Sequence, residues 1–173
     1  CALPISGTPT LSQSTTNKSN VGTYAITIAA GNLASANYNF TSFVNGVLTV
    51  DKAPLNVTAD NKSKNYGAVN PALTYTITGL VNGENLNSSG IAGQPMLSTS
   101  ATPFSSTGTY DIDANTGSLS AANYSFRFVK GTLTVTKATV MVIAENKSKI
   151  YGSANPALTV NYMGFMNGET VGS

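Results

Sequence analysis

"NKSKNYGAVNPALTY", residues 61–75, returns almost unchanged as "NKSKIYGSANPALTV" at residues 146–160. The reading of this phrase decides the fold. Each copy leaves an alternating run, passes through Tyr-Gly and then Asn-Pro, and enters a new alternating run at Ala-Leu-Thr. Gly67 and Gly152 can take a positive φ that other residues reach only at a steric cost. Pro71 and Pro156 fix their own φ and hold Asn70 and Asn155 extended. The phrase therefore reads as a shaped crossover between two strands, with Tyr66 and Tyr151 as packing anchors. Tyr66, Gly67, Asn70, Pro71, Tyr151, Gly152, Asn155 and Pro156 form its structural motif.

The two copies are offset by 85 residues, and the match runs on through Gly79 and Gly164 to "VNGE" (81–84) and "MNGE" (166–169). Other parts of the chain repeat with nearly the same offset. "ISGTPTLSQS" (5–14) resembles "IAGQPMLSTS" (91–100), and "VGTYAI" (21–26) resembles "TGTYDI" (107–112). "SANYNFTSFVNGVLTVDKA" (35–53) resembles "AANYSFRFVKGTLTVTKA" (121–138). A period of this length suits a small domain in tandem and is too long for one turn of a solenoid. Residues 54–138 then make one complete unit, 1–53 the back part of a unit, and 139–173 the front part of another. The alternative is two permuted units, 1–86 and 87–173, divided in the polar loop "NLNSSG" (85–90).

Alternation gives the strands. Leu55, Val57 and Ala59 share one face of "LNVTA", and Leu73, Tyr75 and Ile77 one face of "LTYTIT". Such a period of two marks strands with one buried face. Strands are predicted over 55–59, 73–78, 107–114, 123–128 and 132–136, with equivalents at 140–144, 158–162, 22–28, 38–43 and 47–50. "VKG" (129–131) reads as a hairpin turn, and "LVNGENL" (80–86) as the one place for a short helical turn, at most one per unit. The expected fold is all-β, a series of small sheet domains. A unit of this size buries about 60–65% of its unfolded surface and leans on its aromatics. Tyr66, Leu73, Tyr75, Tyr110, Tyr124 and Phe126 are the expected core, and the lysines of the phrase an expected solvated face.

Composition narrows the function. Hydrophobic residues make up 41% of the chain and charged residues 9%, a balance that argues against disorder. With nine basic and seven acidic residues, Arg127 being the one arginine, no cluster suits phosphate contacts, and nucleic acid is not an expected partner. No apolar run is long enough for a membrane-spanning helix. The absence of His and the single Cys1 exclude His/Cys metal sites and the usual nucleophilic triads within the chain. Asp111 and Asp113 share a strand face, but Ala25 and Thr27 stand there in the other copy, so calcium is not expected. No cofactor and no catalysis are expected.

The ordered series Tyr-Gly-x-x-Asn-Pro-Ala-Leu-Thr, Gly-x-x-Asn-Gly-Glu, Gly-Thr-Tyr, Ala-Asn-Tyr and Gly-Thr-Leu-Thr-Val resembles the MBG-type repeat, Tyr-Gly variety, of large bacterial surface proteins. The resemblance covers nearly the whole chain. It implies a compact Ig-like or β-grasp-like domain of about 85 residues strung in tandem in adhesins and other secreted proteins, with no catalytic residues. The expected role is a stalk or spacer at the bacterial cell surface, its partners the neighbouring repeats. One alternative is a carbohydrate- or mucin-binding module, with Asn61, Lys62, Tyr66 and Tyr151 as candidate glycan contacts on host or matrix glycans. The other is a fibre subunit that joins head to tail by strand complementation.

Overall fold

The computed structural model describes residues 5–172, and the regular structure among them is all strand. Cys1 lies outside the described residues. The chain is all-β, as its alternation predicts.

Strands β1 (Thr10–Ser12), β2 (Gly22–Ala29) and β3 (Gly46–Val50) form an antiparallel sheet in that order. Strands β4 (Ala53–Ala59), β6 (Tyr75–Thr78) and β9 (Tyr124–Val129) form a second, in the order β6-β4-β9. Strands β5 (Lys62–Asn65), β7 (Met96–Thr99), β8 (Gly108–Asn115) and β10 (Gly131–Thr136) form a third, in the order β5-β10-β8-β7. Strands β11 (Met141–Ala144) and β12 (Val160–Met163) make an antiparallel pair.

By compactness the chain divides into two units. The first runs up to Leu55 and takes in Thr78–Gln94 and Ser118–Arg127. It holds the β1-β2-β3 sheet, where β2 turns Tyr24, Ile26 and Ile28 inward and Thr23, Ala25 and Thr27 to solvent. Leu55, Leu119 and Tyr124 are its buried apolar side chains.

The second unit holds Asn56–Ile77, Pro95–Gly117 and the chain from Phe128 onward. Its central strand is β10, antiparallel to β8 with Leu133 opposite Tyr110, and parallel to β5 with Leu133 opposite Lys62. Ile112 and Leu133, both fully buried, pack with Ala59, Ala101 and Ala114, and Leu73, Leu97, Tyr110 and Phe128 close around them. Burying one such Leu or Ile stabilises the fold by about 1.5–3 kcal/mol. Gly131 permits a close approach here: a Cβ at that position would lie 2.3 Å from the Ala59 carbonyl oxygen.

The largest fully buried side chains, Tyr124, Leu55, Ile112, Leu133, Val57 and Val135, all fall within 54–138. Outside that stretch the strands are poorly covered. Every residue of β11 and β12 is exposed.

Several expectations change. The "VKG" stretch is no hairpin, because β9 and β10 belong to different sheets and the chain crosses between them at Lys130. The "LVNGENL" stretch opens with a tight turn, and a single bond of helical reach follows at its end, Ser89 N donating to Asn85 O at 2.9 Å. Glu84 N donates to Val81 O at 3.0 Å, and Asn82 (φ 58°) and Gly83 (φ 74°) take the two positive φ angles of a type I′ turn. The same turn recurs at 166–169. The expected core residues are all largely buried, and Tyr124 is the one among them that is fully so. The other tyrosines of the set stay partly exposed, since a phenolic hydroxyl needs a partner and reaches for one near the surface, as Tyr110 does at Ser106 O, 2.9 Å away. Aliphatic residues of β4, β8 and β10 take the deep positions. Residues 38–43 form no strand. Their equivalents in β9 pair with β4, and no described strand pairs with 38–43.

Candidate functional site

The repeated phrase is the candidate site. Its first residues are a strand, which polar "KSKN" conceals in the sequence. β5 lies parallel to β10, and Tyr66 N continues the ladder to Thr136 O at 2.8 Å. Alternation in β5 turns Lys64 inward, where it is only 8% exposed, against the expected solvated face. A buried ammonium must be hydrogen-bonded. Lys64 Nζ donates to Ala68 O at 3.0 Å and to Thr102 O at 2.6 Å. Asn70 Nδ2 donates to the adjacent carbonyl, Ala101 O, at 2.6 Å, while Asn70 Oδ1 is buried without a partner. Between them the chain turns at Gly67, with φ 81°, and Ala68 N donates to Asn65 O at 3.1 Å. Pro71 is half-buried and leads toward β6.

The second copy keeps the local geometry. Gly152 has the same φ of 81°. Lys149 Nζ donates to Asn155 Oδ1 at 2.7 Å and to Ser153 O at 3.4 Å. Pro156 is exposed, and Tyr151 stands clear of the surface.

The four candidate glycan contacts are differently engaged. Asn61 Oδ1 accepts bonds from Thr132 N at 2.8 Å and Thr132 Oγ1 at 3.1 Å. Lys62, half-buried, lies on the opposite face of β5 from Ser63 and beside Asp60, whose carboxylate it helps to hold ionised. The Tyr66 hydroxyl donates to the Glu169 carboxylate, and the ring lines a cavity of about 270 Å³ with Val140, Phe165 and Met166. Tyr151 offers an open ring face.

Carboxylates anchor each phrase to the strand that follows it. Asp60 accepts bonds from Thr74 Oγ1 at 2.5 Å and Thr76 Oγ1 at 2.9 Å, which hold its carboxyl below the usual range. Glu145, at the equivalent position, is held low by Thr159 and then Lys147. Asp111 and Asp113, weighed for calcium, face Lys130 Nζ at 2.8 and 3.0 Å. Those two carboxylates push the lysine well above its usual range.

A further network surrounds the "NGE" turns and was not expected from sequence. Tyr124 OH donates to Glu84 Oε2 at 2.6 Å and accepts from Val81 N at 3.3 Å. The carboxylate raises the Tyr124 pKa. These residues line a polar cavity of about 170 Å³ together with Asn20, Asp51 and Asn123. Asn123 ties it together: Oδ1 accepts from Val21 N at 3.0 Å, Nδ2 donates to Asn20 Oδ1 at 2.9 Å, and its carbonyl accepts from Ala53 N at 3.0 Å. Recurrence of Glu84 as Glu169 and of Tyr124 as Tyr38 was the available signal.

A model of the MBG domain family (YGX type) matches residues 5–49, 55–134 and 140–173. No curated protein and no solved structure matches the chain. Three matches spread along the whole length, on a chain that builds the Tyr-Gly crossover twice, establish that it belongs to the MBG domain family of the YGX type.

Proposed function

We propose that this chain is a non-catalytic repeat segment of a bacterial cell-surface or secreted protein, and that it works outside the cell as a stalk or spacer in an adhesin. The units are taken as 54–138 complete, with part-units at 1–53 and 139–173. One observation carries the reading: in the first copy of the phrase, Lys64, Asn61 and the Asn70 amide nitrogen are engaged inside the fold. All three bond backbone atoms of neighbouring strands and loops. A phrase repeated for ligand binding would keep those groups for the ligand. A phrase repeated for folding spends them on its own carbonyls and amides, as here. The lack of His and of any Cys beyond Cys1 agrees with a role outside catalysis.

A carbohydrate-binding module is the competing class, with Tyr151 as its stacking platform. A glycan and mucin array probed with the wild-type chain and with Tyr66→Ala and Tyr151→Ala distinguishes the two. The spacer reading expects no binding above background from any of the three. Binding by the wild type that disappears in Tyr151→Ala overturns it.

A further inference from the structure

The repeat has a period of 85 residues, and two side-chain bonds join residues 103 positions apart, Asn123 to Asn20 and Tyr66 to Glu169. Residues separated by more than one period belong to different repeats wherever the boundary is drawn. Both bonds are therefore ties between successive repeats.

The two ties stand at sites built alike. Val21, Val81 and Glu84 line the polar cavity of about 170 Å³, and Thr107, Met166 and Glu169, their sequence equivalents, line the cavity of about 270 Å³. In each, an Asn-Gly-Glu turn shares the cavity with the residue that stands before an upstream Gly-Thr-Tyr. At the first site Asn123 holds both Asn20 Oδ1 and Val21 N. At the second the repeated phrase supplies the tie. The Tyr66 hydroxyl donates to the Glu169 carboxylate, and a bond to an ionised acceptor is among the stronger kinds. The neighbouring Gly67 lets the turn come close, since a Cβ there would lie 2.5 Å from Met166 Cβ. Domains strung on one chain move against each other by default unless their boundary holds them.

We propose that the Tyr-Gly of one phrase and the Asn-Gly-Glu turn of the next repeat are two halves of a coupling that stiffens the joint between repeats. Tyr66 pins the turn through Glu169, and Gly67 clears the space that Met166 fills. The partner of this surface is the following repeat of the same chain. The inference deepens the spacer reading and rests on it for its purpose, because a spacer keeps its length only if its joints resist bending.

NMR relaxation of the backbone amides of the 173-residue chain tests the coupling. In the wild type, β11 and β12 should show the same rotational correlation time as β8 and β10. Gly67→Ala drives a methyl group into Met166, and the correlation time of β11 and β12 should fall below that of β8 and β10. Gly152→Ala is the control. Its φ is the same 81°, so the backbone strain is matched, but nothing lies within 4 Å of the added Cβ, and the correlation times should stay together. Tyr66→Phe keeps the ring and the backbone, loses the bond to Glu169, and should separate the values in the same direction as Gly67→Ala. A shorter correlation time for β11 and β12 in the wild type, the same behaviour in the two glycine variants, or no separation in Tyr66→Phe overturns the proposal. Relaxation reads the joint and the glycan array reads binding, so either can fail without the other.

Discussion

Leu133→Ala tests where the stability of the molecule resides. Leu133 is fully buried in β10, packed with Ile112, Ala59, Ala101 and Ala114. Truncation to alanine removes three carbon atoms from contact, worth about 2.4 kcal/mol at roughly 0.8 kcal/mol per buried methylene. Ala59, Ile112 and Ala114 sit on strands fixed by their ladders, so the space cannot readily close. The residual cavity adds to the loss and takes the expected cost to about 3–4 kcal/mol, inside the usual range of about 2–5 for such a change. Against a net stability of only about 5–15 kcal/mol for a domain, this is a large fraction. The repeat supplies an internal control. Leu48, in β3, is the sequence equivalent of Leu133 and is half-buried, so Leu48→Ala should cost distinctly less. Urea unfolding followed by far-ultraviolet circular dichroism, at dilute protein, reads both. The expected result is a lower midpoint for Leu133→Ala at unchanged slope. A loss below about 1 kcal/mol, or equal losses for the two variants, would falsify the placement of the core in 54–138.

Two further predictions concern the backbone and the carboxylates. Gly131→Ala should destabilise strongly, because the added Cβ meets the Ala59 carbonyl oxygen at 2.3 Å, whereas Gly83→Ala meets nothing within 4 Å and pays only for its positive φ, about 1 kcal/mol. Equal thermal midpoints for these two variants would show that close approach does not matter at Gly131. Asp60 and Glu145 are held below the usual carboxylate range by threonine hydroxyls, with Lys147 helping Glu145. Their contribution is therefore complete above the ordinary range near pH 4 and is lost as pH falls through their lower folded values. The double variant Asp60→Asn, Glu145→Gln should be less stable than wild type at pH 6, with the gap narrowing toward pH 2; a gap independent of pH refutes the assignment.

The parts of the fold that were legible in the sequence are those where one face is apolar and the other polar. "LNVTA", "YDIDA" and "TLTVT" announce their strands because hydrophobic side chains line up every second residue. β5 escaped notice because its inward residue is Lys64, a charge that sequence reasoning sends to solvent and that two backbone carbonyls hold inside. The link between β9 and β10 misled for another reason. Two strands three residues apart pair as a hairpin by default, yet Gly131 lets the chain pass against Ala59 and enter the other sheet. Residues 38–43 have the pattern of a strand and form none, since alternation describes a face and says nothing about whether an edge is there to receive it. At the repeated phrase, the turn chemistry of Gly67 and Asn70 was legible, because it depends on backbone demands of neighbouring residues. The Tyr124–Glu84 bond was not, because it joins residues 40 positions apart and neither carries a local signature.

The parallel run of β5 beside β10 has a consequence for tension along the chain. The polypeptide reaches β5 from its amino-terminal side and leaves β10 at its carboxyl-terminal side. In a parallel pair those two exits lie at opposite ends of the ladder. A pull between them slides one strand lengthwise past the other, so the bonds from Lys62–Leu133 to Asn65–Thr136 are strained together in shear and cannot open one at a time like a zip. The Tyr66–Thr136 bond adds a further rung to the same clamp. An antiparallel hairpin pulled at its two free ends would peel rung by rung at much lower load. The parallel seat of β5 on β10 therefore lays the strands along the line of pull and the hydrogen bonds across it.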